Sequence, residues 1–381
     1  MGKLAKLKKK NKVRSYVAGL FDVDERLTKL TVLGDPLVEL NAMIDWEAFR
    51  GDIEKARENA RESARKSAAG AKPIDAVLMF KIMVLQQLNN LSDERIEYQI
   101  RDRLSFMRFL GLALEDRVPD AKTVWLFRET LKRQGAGEGL FKRFDEQLAA
   151  QGLVAKGGQM IDATFVEVPK SRNSREDNAR IKAGELPEGW DKDDPATVHM
   201  RRQKDTDARW TQKNQETHFG YKNPINADAK NKLIRAYAVS AASVHDSQVF
   251  DELLDQSTDD EGKKRAAYAD SAYRSKEQEE RLQAHGIESQ VCEKGVRGTP
   301  LTEEQKATNR VKSKIRVRVE HVFGAQAQMG GHVVRTIGMA RARVKIAMLN
   351  LVYNMRRFVL LCRREIQDAN GFDGRGACAV A

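Results

Sequence analysis

The chain reads as an α/β protein, a mixed sheet with helices packed on it, preceded by an all-helical region. Three observations predict this. Between Pro36 and about Leu153 apolar residues recur at three- and four-residue steps, the period of helices. At Gln159-Met-Ile-Asp-Ala-Thr-Phe-Val-Glu-Val168 the pattern changes to alternation, bounded by Gly157-Gly158 and Pro169, which is the signature of a strand. Beyond it, strand-like and helix-like stretches take turns, the order of an α/β layout.

Each element has its own local reason. Ile74, Val77, Leu78, Ile82, Leu85 and Leu88 mark one helix, with Pro73 suited to its first turn. Met79, Phe80, Met83 and Val84 fill the remaining faces, so this helix should be buried nearly all round. Ser92 can cap a second helix through Ile96 and Ile100, and Asp120 a third holding Val124, Trp125, Phe127 and Leu131. Trp125 is expected in the core. Arg95, Arg101, Arg103, Arg108, Lys122, Arg128, Lys132 and Arg133 decorate these helices, as a solvated face or as a DNA-binding one. Residues 170–217 are polar and aperiodic, a long excursion between strands.

Thr217 to Pro224 and Lys232 to Ser240 then alternate around Asn226-Ala-Asp-Ala-Lys-Asn231, which predicts a hairpin. Asp246 or Ser247 can cap a helix carrying Val249, Phe250, Leu253 and Leu254. Lys264 to Asp270 reads as a buried strand, Ser275 to His285 as a helix and Ile287 to Cys292 as another strand. A long basic helix is expected from about Thr302 to Phe323, and an apolar one from Val344 to Leu361. The resulting organisation is a basic, disordered arm over 1–20, a helical region over 21–155, a sheet-containing domain over 156–365 with its charged insertion at 170–217, and a flexible tail over 366–381.

Composition narrows the partner class. The 381 residues carry a formal net charge of +12 and a pI of about 9.5, which favours polyanions through counterion release. Residues 1–14 alone hold seven basic side chains, Lys8, Lys9 and Lys10 among them, and no acidic one. No apolar run approaches the roughly 18 residues of a membrane span, and no signal-type hydrophobic region follows the basic start. Three scattered cysteines (Cys292, Cys362 and Cys378) speak against a disulfide framework and fit a reducing cytoplasm. There is no P-loop, so no ATP-driven step is expected, and no H-E-x-x-H or His/Cys cluster for zinc.

Three carboxylates stand out by context. Asp162 lies mid-strand, Asp270 ends Ala266-Ala-Tyr-Ala-Asp270, and Glu320 follows Arg316 by one helical turn. Singly, each has a plain explanation: a solvated strand residue, a helix cap, a surface ion pair. Together they offer hard oxygen ligands from two strands and a helix, suited to Mg²⁺ or Mn²⁺. Two such ions roughly 3.5 to 4 Å apart can clamp the attacking and leaving oxygens of a phosphoryl displacement.

Ile161-Asp-Ala-Thr164, His218-Phe-Gly-Tyr-Lys222, Val244-His-Asp246, Ala269-Asp-Ser-Ala-Tyr273 and Arg316-Val-Arg-Val-Glu-His-Val-Phe-Gly324 resemble, in order, the blocks of bacterial insertion-sequence transposases of the IS5 group, in the DDE class. The resemblance spans roughly Gly158 to Arg357, and the helices around Met79 to Leu131 resemble the N-terminal domain of those proteins. It implies a ribonuclease-H-like catalytic domain with Asp162, Asp270 and Glu320 as the catalytic, metal-binding triad for Mg²⁺ or Mn²⁺, two ions in all. It also implies double-stranded DNA as partner (terminal inverted repeats and target), a homodimer or higher assembly on that DNA, and a place in the bacterial cytoplasm at the nucleoid. Arg316 and Lys222 become candidate DNA contacts beside Lys8, Lys9 and Lys10, with His245, Asp246 and Tyr273 as supporting positions. A related group extends the Arg-Glu element with a Tyr and a Lys, where this chain has Ser313 and Ala327. Two rivals stay open at this point: a DNA-binding relative that regulates without catalysing, and a metal-dependent nuclease of the same fold.

Overall fold

In the computed structural model the described residues are 21–62, 72–153, 158–170, 173–190, 194–213, 215–256, 262, 265–295 and 300–369. The arm with Lys8, Lys9 and Lys10 lies outside them, as does the tail beyond 369. The first region is helical throughout: α1 (Asp22–Val32), α2 (Pro36–Met43), α3 (Arg50–Glu62), α4 (Ala76–Leu88), α5 (Asp93–Asp102), α6 (Leu104–Leu110), α7 (Ala121–Arg133) and α8 (Ala136–Ala150). Two of the expected caps are in place; the one expected from Asp246 or Ser247 is not, since the helix there, Phe250–Leu253, starts after Val249 with no side-chain cap. Ser92 Oγ accepts from Arg95 N at 3.2 Å and Asp120 Oδ1 from Thr123 N at 2.7 Å, each stabilising its helix start by about 1 kcal/mol. α4 begins later than Pro73 suggests, because Asp75 takes the cap position, its carboxylate accepting from Leu78 N. The helix is buried on almost every side, as its composition requires. Trp125 departs from expectation: it faces outward on α7, 40% exposed, while Val124, Phe127 and Leu131 point inward.

The second region is mixed α/β: β1 (Gln159–Glu167), α9 (Arg175–Lys182), α10 (Pro195–Arg202), β2 (Arg209–Lys213), β3 (Glu216–Asp228), β4 (Ile234–Tyr237), β5 (Ser240–Ala241), α11 (Phe250–Leu253), β6 (Ala267–Tyr268), α12 (Lys276–Ala284), α13 (Glu303–Arg316), α14 (Glu320–Gln328) and α15 (Met339–Ala369). The sheet runs β2-β3-β1-β6, with β4 and β5 also paired to β3. β1 is antiparallel to β3, Asp162 opposite Ile225, and parallel to β6. The long polar excursion therefore holds two short helices and an edge strand. The hairpin closes on Asp228, whose carboxylate accepts from the N–H groups of Lys230 and Leu233.

Two expected strands shrink. Of the Lys264–Asp270 stretch only Ala267–Tyr268 is strand, and Lys264 lies outside the described residues. Ile287 to Cys292 runs alongside it as extended chain, held by Gln290 N to Ala267 O (2.8 Å) and Cys292 N to Ala269 O (3.1 Å), at the sheet edge where pairing ends. The basic helix is broken: a 3-10 turn over Val317–Val319 separates α13 from α14.

One hydrophobic core runs through both regions, from Phe49, Phe80 and Phe144 to Met160 and Ile225 of the sheet and Val352 and Phe358 of α15. α15 is pinned to the sheet by buried amides. Asn350 exchanges hydrogen bonds with Asn223 (3.0 and 3.1 Å), and Asn354 bonds both the N–H and the carbonyl of Ile234. Unpaired, each buried amide would cost about 1–3 kcal/mol, so these bonds fix where α15 can lie.

Candidate active site

β1 and β6 are parallel neighbours, so Asp162 on β1 and Asp270 just past the end of β6 approach the same region. α13 crosses behind them and breaks at residue 317, which turns Glu320, the first residue of α14, toward it. All three line one cavity of about 590 Å³, with Arg316, Thr164 and Phe165 in its wall. Lys213, His218 and His332 border it as well.

Asp162 is not the solvated strand residue that its alternation allows. It is 7% exposed; Oδ1 accepts from Ala163 N at 2.8 Å and Oδ2 from Arg316 Nη1 at 2.9 Å. Burial pushes its carboxyl up to about 6, with the negative fields of Asp270 and Glu320 adding to the rise against Ala163 N–H and Arg316. The plain pairing of Arg316 with Glu320 gives way to this contact. The helix breaks between the two residues, and the guanidinium reaches across to the strand. Asp270 also serves as a cap, Oδ1 accepting from Ala272 N at 2.8 Å. Glu320 opens α14, where the helix dipole favours a carboxylate.

The supporting positions separate. Lys222, expected to touch phosphate, is 8% exposed: Nζ donates to Asp246 Oδ1 at 2.7 Å and to Val244 O at 2.8 Å. Its charge is engaged inside the fold, in an ion pair that ties β3 to the segment after β5. His245 is exposed and caps the 3-10 turn Asp246–Gln248, its Nδ1 accepting from Ser247 N at 3.3 Å. Tyr273 is 1% exposed and its hydroxyl has no hydrogen-bond partner among the described residues. Burial and then the carboxylates of Asp246, Asp162 and Asp270 keep that phenol protonated.

Two features had no signal in the local sequence. Phe165 and His218 stack at 4.2 Å between ring centroids, 9° from parallel, with His218 Nδ1 3.1 Å from Glu167 Oε1. They meet because β1 and β3 pair in a register that places Phe165 opposite Lys222, and only the pairing reveals it. His332 arrives on the turn after α14, where Glu167 N donates to His332 O and Val334 N to Glu167 O, both at 2.8 Å.

The donor set fits a hard divalent cation in kind: every candidate ligand is a carboxylate oxygen, and Asp162 lies in the negative fields of both Asp270 and Glu320. Among the described residues, however, no three acidic, His or Cys side chains draw together into a ligand cluster.

Carboxylates from adjacent strands and a helix, in a basic chain, are a donor set suited to chemistry on phosphodiesters. Residues 155–355 match the family described as Transposase DDE domain, and residues 24–130 match the one described as Transposase domain (DUF772). The first match covers more than half of the chain, which belongs to the DDE transposase family. It is therefore a DNA transposase, an enzyme of DNA cleavage and strand transfer, and such enzymes generally use divalent metal ions. No solved structure matches the chain. Among the described residues no helix is long and apolar enough to cross a membrane.

Proposed function

We propose that Asp162, Asp270 and Glu320 are the catalytic triad of an insertion-sequence transposase of the IS5 group, on a ribonuclease-H-like domain. The observation that carries this reading is their convergence on one cavity from β1, the end of β6 and the start of α14. The three would hold Mg²⁺ or Mn²⁺, two ions in all. When bound, such ions activate water and polarise the scissile phosphate. Asp162, fixed by β1 and half-neutralised by Arg316, sets the position of the centre. Asp270 and Glu320 would complete it from the end of β6 and the start of α14. Arg316 orients the Asp162 carboxylate and reaches the DNA phosphate once that carboxylate has another counter-charge. The cavity wall of Phe165 and His218 excludes water behind the reacting phosphate.

The substrates are the terminal inverted repeats of the element and then target DNA, which the freed 3′-hydroxyl attacks in line. No ATP is consumed. Lys8, Lys9 and Lys10 contribute non-specific phosphate contacts, two copies hold the two ends, and the enzyme works on the bacterial nucleoid. The test is strand cleavage on DNA bearing the element's own ends, wild type beside Asp270→Asn, with Mg²⁺, Mn²⁺ or EDTA. Metal-dependent cutting lost in the variant supports the triad. Equal cutting by both removes Asp270 from it.

A further inference from the structure

A second cavity lies beside the catalytic one and takes no part in the chemistry above. About 340 Å³ in volume, it sits where α4, α5 and α7 meet the turn 330–336 and α15. His332 faces both cavities, so a single extended segment, tied to the end of β1 through Glu167, separates them. The partition is anchored to α4 and the turn after it. Gln87 Nε2 holds Met329 O at 3.0 Å, and Gly330, at φ +73°, is packed so tightly that a Cβ there would lie 2.2 Å from Asn90 Oδ1.

The charges lining this cleft do not balance. Arg128, Arg335, Arg341 and Lys345 face Asp93 and Glu94. Arg128 is committed to Asp93 through two bonds of 2.7 Å, and Arg341 to Glu129 at 2.6 and 3.1 Å. Lys345 has no ion-pair or hydrogen-bond partner among the described residues. Burial, then Arg128 and Arg335, push its ammonium down to about 8, against the pull of Asp93. A half-buried cation beside two guanidinium groups, with no ion-pair partner among the described residues, is costly, and an anionic ligand is what relieves that cost. A solvated lysine on a helix face would escape both burial and its cationic neighbours; Lys345 is held among them by the packing of α15.

We propose that this cleft is a phosphate subsite for the DNA strand that occupies the catalytic cavity. Lys345, with exposed Arg335 at the mouth, grips a phosphodiester on the strand after it passes His332. The inference rests on the triad reading of the adjacent cavity and extends it to the path of the strand. A diester carries one negative charge, the charge that Lys345 lacks, and phosphate contacts position a strand without reading its sequence.

The test is fluorescence anisotropy of the full chain on a short labelled duplex in EDTA, across a salt series. The set is wild type, Lys345→Gln, Lys345→Arg and, as control, Lys276→Gln on the exposed helix α12. Lys345→Gln is expected to weaken binding roughly three- to tenfold and to flatten the log Kd against log salt slope by about 0.9, the loss of one phosphate contact. Lys345→Arg keeps the charge and is expected to retain wild-type affinity, which separates charge from packing. Lys345→Gln that is folded by near-ultraviolet circular dichroism and binds with wild-type affinity and slope overturns the subsite while leaving the triad untouched. Wild type that fails to bind DNA at all overturns both. Displacement of the duplex by polyglutamate as readily as by unlabelled duplex, lost in Lys345→Gln, overturns the nucleic-acid assignment in favour of an acidic polypeptide.

Discussion

At the residue scale the site depends on which oppositely charged groups find each other. Arg316 chooses Asp162 over Glu320 because the chain breaks helical phase over Val317–Val319. Glu320→Gln and Asp162→Asn are therefore expected to lose cleavage by more than about a hundredfold, since each removes a carboxylate that no neighbour replaces. Duplex affinity in EDTA should not fall for either variant. Retained cleavage in Glu320→Gln, measured on element-end DNA, would take that residue out of the triad. Gly220 makes a different kind of demand. At φ +153° its Cα lies so close to β1 that a Cβ would sit 2.2 Å from Val166 O. Gly220→Ala should lower the unfolding free energy by about 2 kcal/mol or more by denaturant titration, by prying β3 from β1. A variant as stable as wild type would show that the strands can part without loss.

At the element scale, α7 and α15 are bound by Glu129, which accepts from Arg341 and from Lys132. Burial disfavours the Glu129 carboxylate, yet the bonds from Arg341 and Lys132 outweigh it and hold the group down at about 2. A carboxyl whose folded pKa is depressed stabilises the fold above its unfolded value of about 4.3, and that contribution is lost as pH falls toward 2. It is worth up to about 3 kcal/mol for a shift of this order. Glu129→Gln should therefore have a lower Tm than wild type at pH 7, and the difference should narrow between pH 4.5 and about 2 in thermal melts. A constant gap across that window would mean the pair contributes nothing through charge.

At the scale of the whole molecule, the helical region and the sheet share one core. Phe144 touches both sides of that union, lying 6.5 Å from Phe49 and 6.0 Å from Phe358 of α15, between ring centroids. Phe144→Ala should cost about 3–5 kcal/mol and lower one cooperative transition, seen alike by far- and near-ultraviolet circular dichroism. Two separated transitions would mean that the regions unfold independently. The cavity of the three acids and the cationic cleft are also joined, because His332, on the turn before α15, lines both.

Much of this was legible in the chain itself. The caps at Ser92 and Asp120, the all-round burial of α4, the hairpin after β3 and the strand that carries Asp162 all follow from residues within a few positions of one another. Period and capping are local, so sequence determines them. The order of motif blocks singled out the three acids in the same way. What only the tertiary structure decided is who meets whom. Asp162 and Arg316 are 154 positions apart, Lys222 is withdrawn onto Asp246, Phe165 finds His218 across a strand register, and Lys345 is left without an ion-pair partner among the described residues. Those outcomes are set by packing between distant segments, where small changes in register or helix phase decide which charge is paired and which is left for a ligand.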